Sequence, residues 1–164
     1  MHRTIEDASA ALVAALLAAG KTVAAAESCT GGWVAKAITD IAGSSGCFAC
    51  GIVSYSNEAK EALLDVDPAT LRRHGAVSEP TVREMAIGML DLSGADIAVA
   101  VSGIAGPGGG SPDKPVGTVW FSWASRSRGG AVATDAATHR LTGDREAVRR
   151  QSVVVALDGV LGRI

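Results

Sequence analysis

Residues 26–32 read Ala26-Glu27-Ser28-Cys29-Thr30-Gly31-Gly32, and the rest of the chain is interpreted around them. A short apolar run over residues 22–26 leads into this stretch, and apolar residues recur at helical spacing over residues 33–41. The stretch is therefore predicted to be the tight turn of a strand–turn–helix unit. The first N–H groups of a helix lack partners within it, so Ser28 would lie beside an anion-stabilising pocket. The alternative is that Ser28 or Thr30 is only an N-cap.

Length and composition favour one globular domain over residues 1–164. Of these residues 48% are hydrophobic and 20% are charged, which is typical of a chain that buries a core. The net charge is −2, and the aromatic residues are three Trp, two Phe and one Tyr. Nucleic acid is not an expected partner, because there is neither a basic surface nor a stacking platform for bases.

No apolar run is long enough to span a membrane, and residues 1–7 show no signal-peptide pattern, so we expect a cytoplasmic protein without membrane contact. Residues 47–50 form a C-x-x-C motif, Cys47-Phe48-Ala49-Cys50. Its flanks resemble a strand, whereas redox pairs usually open a helix, and no second pair of ligands completes a metal set. We expect packing cysteines and no metal; a redox or regulatory pair is the alternative.

Periodicity and stop signals predict the remaining elements. Helices are predicted over 4–19, 33–41, 58–64, 67–74, 78–92 and 142–161, and strands over 22–26, 47–54, 96–101, 116–123 and 131–138. This order implies a mixed sheet between helices, with parallel units first and an antiparallel part later. Ligands collect at the carboxyl ends of parallel strands, and Ser28, Tyr55 and Ser102 lie at predicted strand ends. We expect these three polar groups to converge.

Ser28 needs a base before it can act as a nucleophile. The three histidines, His2, His74 and His139, are predicted to be surface or structural residues, and no Ser-His-Asp triad is legible.

Lys60 is the better candidate for that base. With Asn57 as N-cap it would be the third helical residue, where its charge opposes the helix dipole and its pKa would fall. Glu58 and Glu61 would raise that pKa again, so desolvation decides the outcome. A solvated surface lysine is the alternative.

Two further residues could bind or polarise a substrate. Tyr55, the one tyrosine, could donate to a transition-state oxygen or merely pack. Arg145 is predicted in the first turn of the last helix, where an arginine beside free N–H groups makes a good phosphate clamp. An exposed arginine near Arg149 and Arg150 is the alternative.

Five motifs, taken in order, resemble those of the CinA C-terminal domain family. They are residues 26–32, 51–60, 75–79, 103–110 and 115–119. The stand-alone members of this family are bacterial nicotinamide-nucleotide amidases of pyridine nucleotide salvage. The resemblance implies a three-layer α/β/α sandwich with a mixed, mostly parallel sheet. It also implies hydrolysis of the carboxamide of nicotinamide mononucleotide to nicotinate mononucleotide and ammonia.

The resemblance also assigns roles, as a Ser/Lys amidohydrolase without cofactor or metal. Ser28 would be the nucleophile and Lys60 the base, with Tyr55 in the site as a possible proton donor. The implied substrate-binding residues are Thr30, Gly31, Gly32, Ser102, Gly103, Gly106 and Arg145. The N–H groups of residues 30–32 would hold the oxyanion. The expected partners are a small pyridine nucleotide substrate and a second copy of the chain in a homodimer.

Two positions depart from the family pattern: Cys50 stands where many members have Gly, and Ser102 where many have Thr. A rival interpretation keeps the binding and drops the chemistry. In that reading the chain is a non-catalytic nucleotide-binding module, in which residues 106–110 and the Ser28 turn hold a phosphate that Lys60 neutralises.

Overall fold

A five-stranded sheet forms the middle layer of the molecule. The computed structural model describes residues 3–164, so His2 lies outside the described part. The strands are β1 (Val23–Glu27), β2 (Phe48–Val53), β3 (Ile97–Gly103), β4 (Thr118–Arg126) and β5 (Val132–Arg140), in the order β2-β1-β3-β4-β5. β1 pairs in parallel with β2 and β3, whereas β4 is antiparallel to β3 and β5. Because β4 alone is reversed, the predicted mixed, mostly parallel sheet is confirmed.

Six α-helices of the described chain cover both faces of this sheet. They are α1 (Ile5–Ala19), α2 (Trp33–Thr39), α3 (Asn57–Leu64), α4 (Pro68–His74), α5 (Glu79–Ser93) and α6 (Arg145–Leu161). Helices α1, α2 and α6 pack together on one face, and α3, α4 and α5 on the other. The three-layer sandwich is therefore confirmed. None of these helices is long and apolar enough to cross a membrane.

Side-chain size differs between the two faces of the central strands. On β3, Ile97, Val99 and Val101 join the core beneath α1, α2 and α6, while Ala98 and Ala100 face α5. All these positions are buried, which explains the continuous apolar run that predicted this strand. The small alanines leave room for the long side chains of α5 to lie close to the sheet.

Two differences in helix starts from their predictions affect residues of the predicted site. The N-cap of α3 is Ser56, not Asn57, because its Oγ accepts the Ala59 N–H at 3.0 Å. Lys60 is therefore the fourth helical residue and not the third. Helix α6 begins at Arg145 rather than Thr142, since Gly143 has a φ of +106° and Asp144 caps the helix.

The third parallel strand is longer than predicted. Ser102 and Gly103 continue β3, because they pair with Trp120 and Val119 of β4. Ser102 thus lies within the end of a strand and remains at the carboxyl edge of the sheet, where β1 and β2 also end.

Candidate active site

Ser28 is positioned by the turn between β1 and α2. Its N–H donates to the carbonyl of Val101 at 3.0 Å, which continues the β1–β3 pairing by one residue. Its own carbonyl accepts the Gly31 N–H at 3.0 Å, which closes the turn. Gly31 and Gly32 have φ values of +60° and +99°, so both are needed for a backbone that other residues rarely adopt. The side chain of Ser28 is left at the sheet edge.

Glu27, the residue before Ser28, fills the N-terminus of α2 with its own carboxylate. Although it is only 1% exposed, its oxygens accept the N–H groups of Gly32 at 3.2 Å, Val34 at 2.9 Å and Ala35 at 3.0 Å. Sequence reasoning missed this role, although an acidic residue next to a helix start was a signal for it. The three N–H groups that donate to the Glu27 side chain compensate for the burial of its polar oxygens.

This carboxylate changes which amides of the turn are free. The Gly31 and Gly32 N–H groups are occupied by Ser28 and Glu27, so they do not face an oxyanion as predicted. Within residues 3–164 no other residue accepts the N–H groups of Cys29 and Thr30. The N-cap alternative is wrong for both candidates. Helix α2 is capped by Gly32 without a side-chain bond, and the Thr30 hydroxyl has no partner in the described chain.

Lys60 reaches Ser28 from α3. Its Nζ lies 3.1 Å from Ser28 Oγ, 2.8 Å from the Ser54 carbonyl oxygen and 3.3 Å from that of Tyr55. The residue is 1% exposed, and no carboxylate among residues 3–164 forms a salt bridge with it. Burial lowers the pKa of Lys60 below its ordinary value of 10.5, opposed only by the nearby Cys29. The surface-lysine alternative is wrong.

The three contacts of Lys60 remain possible when its amine is neutral. Carbonyl oxygens can only accept, so the Ser54 and Tyr55 carbonyls take the two N–H bonds that a neutral amine still has. In the ammonium form the third N–H donates to Ser28 Oγ, and in the neutral form the lone pair takes its place and can accept the Ser28 hydroxyl proton. Chemically, the pair can transfer the serine proton to the amine as the oxygen attacks an electrophile.

A cavity of about 250 Å³ opens above this pair. Six of the predicted site residues line it: Ser28, Tyr55, Lys60, Ser102, Gly103 and Arg145. The predicted convergence of the three strand ends is therefore confirmed. Cys29, Ala76, Val77 and Ala105 complete the lining, and these small and apolar side chains were not singled out from the sequence.

Arg145 and Tyr55 lie at the exposed side of the cavity. Arg145 Nη1 donates to the carbonyl of Gly106 at 2.8 Å, and Nη2 donates to the Tyr55 hydroxyl at 3.2 Å. Tyr55 is 61% exposed, so its ring does not pack in the core. Gly106 does not line the cavity itself, but it holds the arginine that does.

The other predicted binding residues lie on the opposite flank of the turn. Thr30, Gly31 and Gly32 line a groove of about 900 Å³ on the side of α1, α2 and α6. This groove is larger than the Ser28 cavity, but neither Ser28 nor Lys60 lines it. Its size is therefore no reason to place the reaction there. Arg149 lines it and donates to the carbonyls of Cys29 and Thr30, both at 3.1 Å. Sequence reasoning named Arg149 only as a neighbour of Arg145.

The cysteines do not form a functional pair. Cys47 belongs to the core under α1, α2 and α6, whereas Cys50 packs against the core on the opposite face, where the β1–β2 register is irregular. Cys29 lines the cavity, and burial raises the pKa of its thiol to about 11. Among residues 3–164, no cluster of His, Cys, Asp and Glu is arranged to hold a metal ion.

The two described histidines lie away from the cavity. His74 ends α4, and its carbonyl accepts a bond from Lys114 at 2.6 Å. His139 of β5 packs edge-on against Phe121. Neither residue lines the cavity that holds Ser28, as the sequence predicted.

Comparisons with known proteins agree on one family. The family model for the CinA C-terminal domain matches residues 5–164. The nicotinamide-nucleotide amidohydrolase PncC of Enterobacter agglomerans is 55% identical over 160 residues, which are 98% of this chain and 95% of that protein. The Escherichia coli K12 protein of the same name is 59% identical over 143 residues, 87% of this chain and 84% of its own.

Solved structures give the same result. The crystal structure of a CinA superfamily protein from Klebsiella pneumoniae has a TM-score of 0.90 and 42% identity, and the match covers 98% of each chain. A structure from Agrobacterium tumefaciens, described as a competence/damage inducible protein, has a TM-score of 0.88 and 41% identity over 99% of this chain and 98% of that one. From the family model, the relatives and these structures together, we conclude that the chain belongs to the CinA C-terminal domain family.

Proposed function

We propose that this protein is a nicotinamide-nucleotide amidase that hydrolyses the carboxamide of nicotinamide mononucleotide to nicotinate mononucleotide and ammonia. One observation carries the proposal: a buried lysine, which forms no salt bridge with a carboxylate of residues 3–164, lies 3.1 Å from the hydroxyl of a serine in a cavity. The two relatives named as nicotinamide-nucleotide amidohydrolases support the choice of substrate.

The first half of the reaction forms an acyl-enzyme. Neutral Lys60 takes the proton of Ser28 while Oγ attacks the carboxamide carbon. Negative charge then develops on the former carbonyl oxygen. The N–H groups of Cys29 and Thr30 stabilise it, since those of Gly31 and Gly32 are already bonded. The N–H of the residue after a nucleophilic serine has the same role in other strand–turn–helix hydrolases.

The second half releases both products. The ammonium of Lys60 returns its proton to the amide nitrogen as the C–N bond breaks, and ammonia leaves. A water molecule then attacks the acyl carbon, Lys60 accepts its proton, and the C–O bond to Ser28 breaks to free the carboxylate. Lys60 finally reprotonates Ser28, so the enzyme returns to its starting state without a cofactor.

The substrate is held from the exposed side of the cavity. At about 250 Å³ the cavity is slightly smaller than typical ligand sites, so the carboxamide and its ring fill it while the phosphate extends outwards to Arg145. Arg145→Ala should therefore raise KM more than it lowers kcat, because the arginine binds substrate and transition state alike. Steady-state kinetics of ammonia release check this, and unchanged constants would rule the clamp out.

Removing the nucleophile or the base tests the whole proposal. Ser28→Ala and Lys60→Met should each lower ammonia release from nicotinamide mononucleotide at least about 10³-fold, because the two residues act as a unit. Ser127→Ala in the β4–β5 hairpin and Lys36→Met on the surface are matched controls that should keep full activity. Substrate-dependent thermal stabilisation of the wild type without any ammonia would instead indicate the non-catalytic binding module.

A further inference from the structure

Arg149 contacts the nucleophile turn from the side that faces away from the cavity. It lies one turn into α6, and its Nε and Nη2 donate to the carbonyls of Cys29 and Thr30, both at 3.1 Å. Its guanidinium also lies 5.6 Å from the centre of the Trp33 ring. It lines the large groove but not the Ser28 cavity, so it cannot touch a carboxamide that Ser28 attacks.

These two bonds help to fix where the neighbouring N–H groups point, and the Cys29 carbonyl in particular is held by Arg149. In a trans peptide the carbonyl of one residue and the N–H of the next lie in one plane and point in opposite directions. The Cys29–Thr30 peptide is trans. Because its carbonyl points towards Arg149, the Thr30 N–H points away from Arg149. The next peptide is held by Arg149 together with the turn itself: the Thr30 carbonyl accepts from Arg149 and from the Trp33 N–H at 3.1 Å, and the Gly31 N–H donates to the Ser28 carbonyl.

Gly31 supplies a second observation that links Arg149 to this turn. A Cβ at Gly31 would lie 3.1 Å from Nη2 of Arg149, closer than such atoms normally approach. The glycine therefore clears the space that the guanidinium occupies, in addition to providing the positive φ. The turn and the arginine fit each other although 119 positions separate Thr30 from Arg149.

We propose that Arg149 is a positioning residue of the amidase reaction: by holding the Cys29 and Thr30 carbonyls, it aims the Thr30 N–H at the developing oxyanion. The inference rests on the proposed function. The charged donors also polarise the Cys29–Thr30 peptide, which strengthens its N–H as a donor. A donor aimed at the oxyanion acts in the transition state, so its loss lowers kcat and leaves ground-state binding intact.

The test separates transition-state stabilisation from binding. We expect Arg149→Met to lower kcat about 100-fold, the usual cost of one oxyanion donor, with KM changed by no more than about twofold. Arg149→Lys, which retains the charge but not the two-pronged donor, should give an intermediate loss. Arg150→Met is the matched control, because Arg150 lines the same groove but donates to Glu146 and not to the nucleophile turn, and it should keep wild-type kcat.

Two ligands provide a readout that a purely structural role would not move. One is the product, nicotinate mononucleotide, which binds without an oxyanion. The other is the substrate analogue with an aldehyde in place of the carboxamide, whose adduct with Ser28 places an oxygen in the oxyanion position. Arg149→Met should lower the affinity for the aldehyde by about the same factor as kcat, while the affinity for the product stays within about twofold of the wild type.

Three results would overturn the inference. One is a folded Arg149→Met variant with unchanged kcat. Another is an equal loss of affinity for the product and for the aldehyde in that variant. If Arg149→Met does not fold by circular dichroism, the same comparison is made with Arg149→Lys, and an unchanged kcat there is equally decisive. A wild type that releases no ammonia would overturn the proposed function as well. An active wild type with an inactive Ser28→Ala confines any failure to the role of Arg149.

Discussion

Two buried ionisable residues, Glu27 and Lys60, flank the Ser28 turn, and their surroundings differ. The side-chain oxygens of Glu27 accept three backbone N–H groups at the N-terminal end of α2. Lys60 has two carbonyls and one hydroxyl around its Nζ and no acidic partner among the described residues. Desolvation therefore outweighs the few groups that would favour an ammonium, and the local environment prepares a base.

This difference predicts the pH dependence of catalysis. Lys60 must be neutral to accept the Ser28 proton, so kcat/KM should rise with pH and level off above the lowered pKa of Lys60. Rates of ammonia release across a pH series, with buffers matched in ionic strength, provide the measurement. A profile that falls as pH increases through this range would contradict Lys60 as the base.

The same lowered pKa predicts a stability cost. In the unfolded chain Lys60 has its ordinary pKa of 10.5, so between the two pKa values the unfolded state binds more protons and stability rises with pH. Lys60→Met should therefore melt at a higher temperature than the wild type near neutral pH. The difference should shrink as pH approaches 10.5, and thermal denaturation at several pH values checks it. A Met variant less stable than the wild type would refute this account.

Sequence could identify the reacting residues but not those that hold them. Ser28 and Lys60 stand in short motifs whose local context, a turn and a helix start, signals their chemistry. Arg149 meets Cys29 and Thr30 only through the packing of α6 beside α2, and no local pattern reports such a contact. The binding role predicted for Gly31 and Gly32 came from the family resemblance, and no local pattern shows which flank of the turn these glycines face.

At the scale of elements, the order of helices and strands followed from apolar periodicity and from glycine stops such as Gly20 and Gly94, which do end α1 and α5. The helix starts were harder to locate. Ser56 and Asn57 are both good N-caps, and only the backbone geometry shows which side chain accepts the free N–H. The predicted N-cap therefore placed Lys60 one helical position too early. Its contact with Ser28 depends on how α3 packs beside the turn, which the helix start does not determine.

The packing of α6 on β4 allows a prediction about a single methyl group. A Cβ at Gly159 would lie 2.1 Å from the Trp123 ring, which is also held by a 3.1 Å bond to the Ala156 carbonyl. Gly159→Ala should therefore lower the free energy of unfolding by about 2 kcal/mol, since overpacking outweighs the gain in helix propensity. Chemical denaturation is the measurement.

Gly162, at the end of the same helix, is the matched control for this prediction. A Cβ there would lie 3.6 Å from the Asp158 carbonyl, which is an ordinary contact, and its φ is −69°. Gly162→Ala should change the free energy of unfolding by less than about 0.5 kcal/mol. Equal effects of the two substitutions would show that the ring of Trp123 does not set the cost.

At the scale of the whole molecule, two cores share one sheet. Trp33 and Trp123 pack with the core beneath α1, α2 and α6, and Trp120 packs against the core beneath α3, α4 and α5. Each core is formed by helices on one side and by the shared strands on the other. This arrangement supports the prediction that residues 1–164 are one domain, although the pairing of β1 with β3, across some seventy residues, could not be derived from local sequence.

A single domain should unfold in one cooperative step. Variants that retain only Trp120, or only Trp33 and Trp123, would report the two cores separately by fluorescence. Their midpoints in denaturant should coincide with those from far-UV circular dichroism of the same variants. Separate midpoints for the two reporters would show that the faces unfold independently. The homodimer stays a prediction, which light scattering on the purified protein would test.

Cys29 has a consequence for how the protein tolerates oxidative stress. Peroxides attack thiolates, and a thiol with a pKa of about 11 is almost entirely protonated inside a cell. The sulfur next to the reactive serine is thus chemically quiet, so sulfenic acid should form there slowly. The site should therefore keep its activity at peroxide concentrations that inactivate enzymes with an activated cysteine.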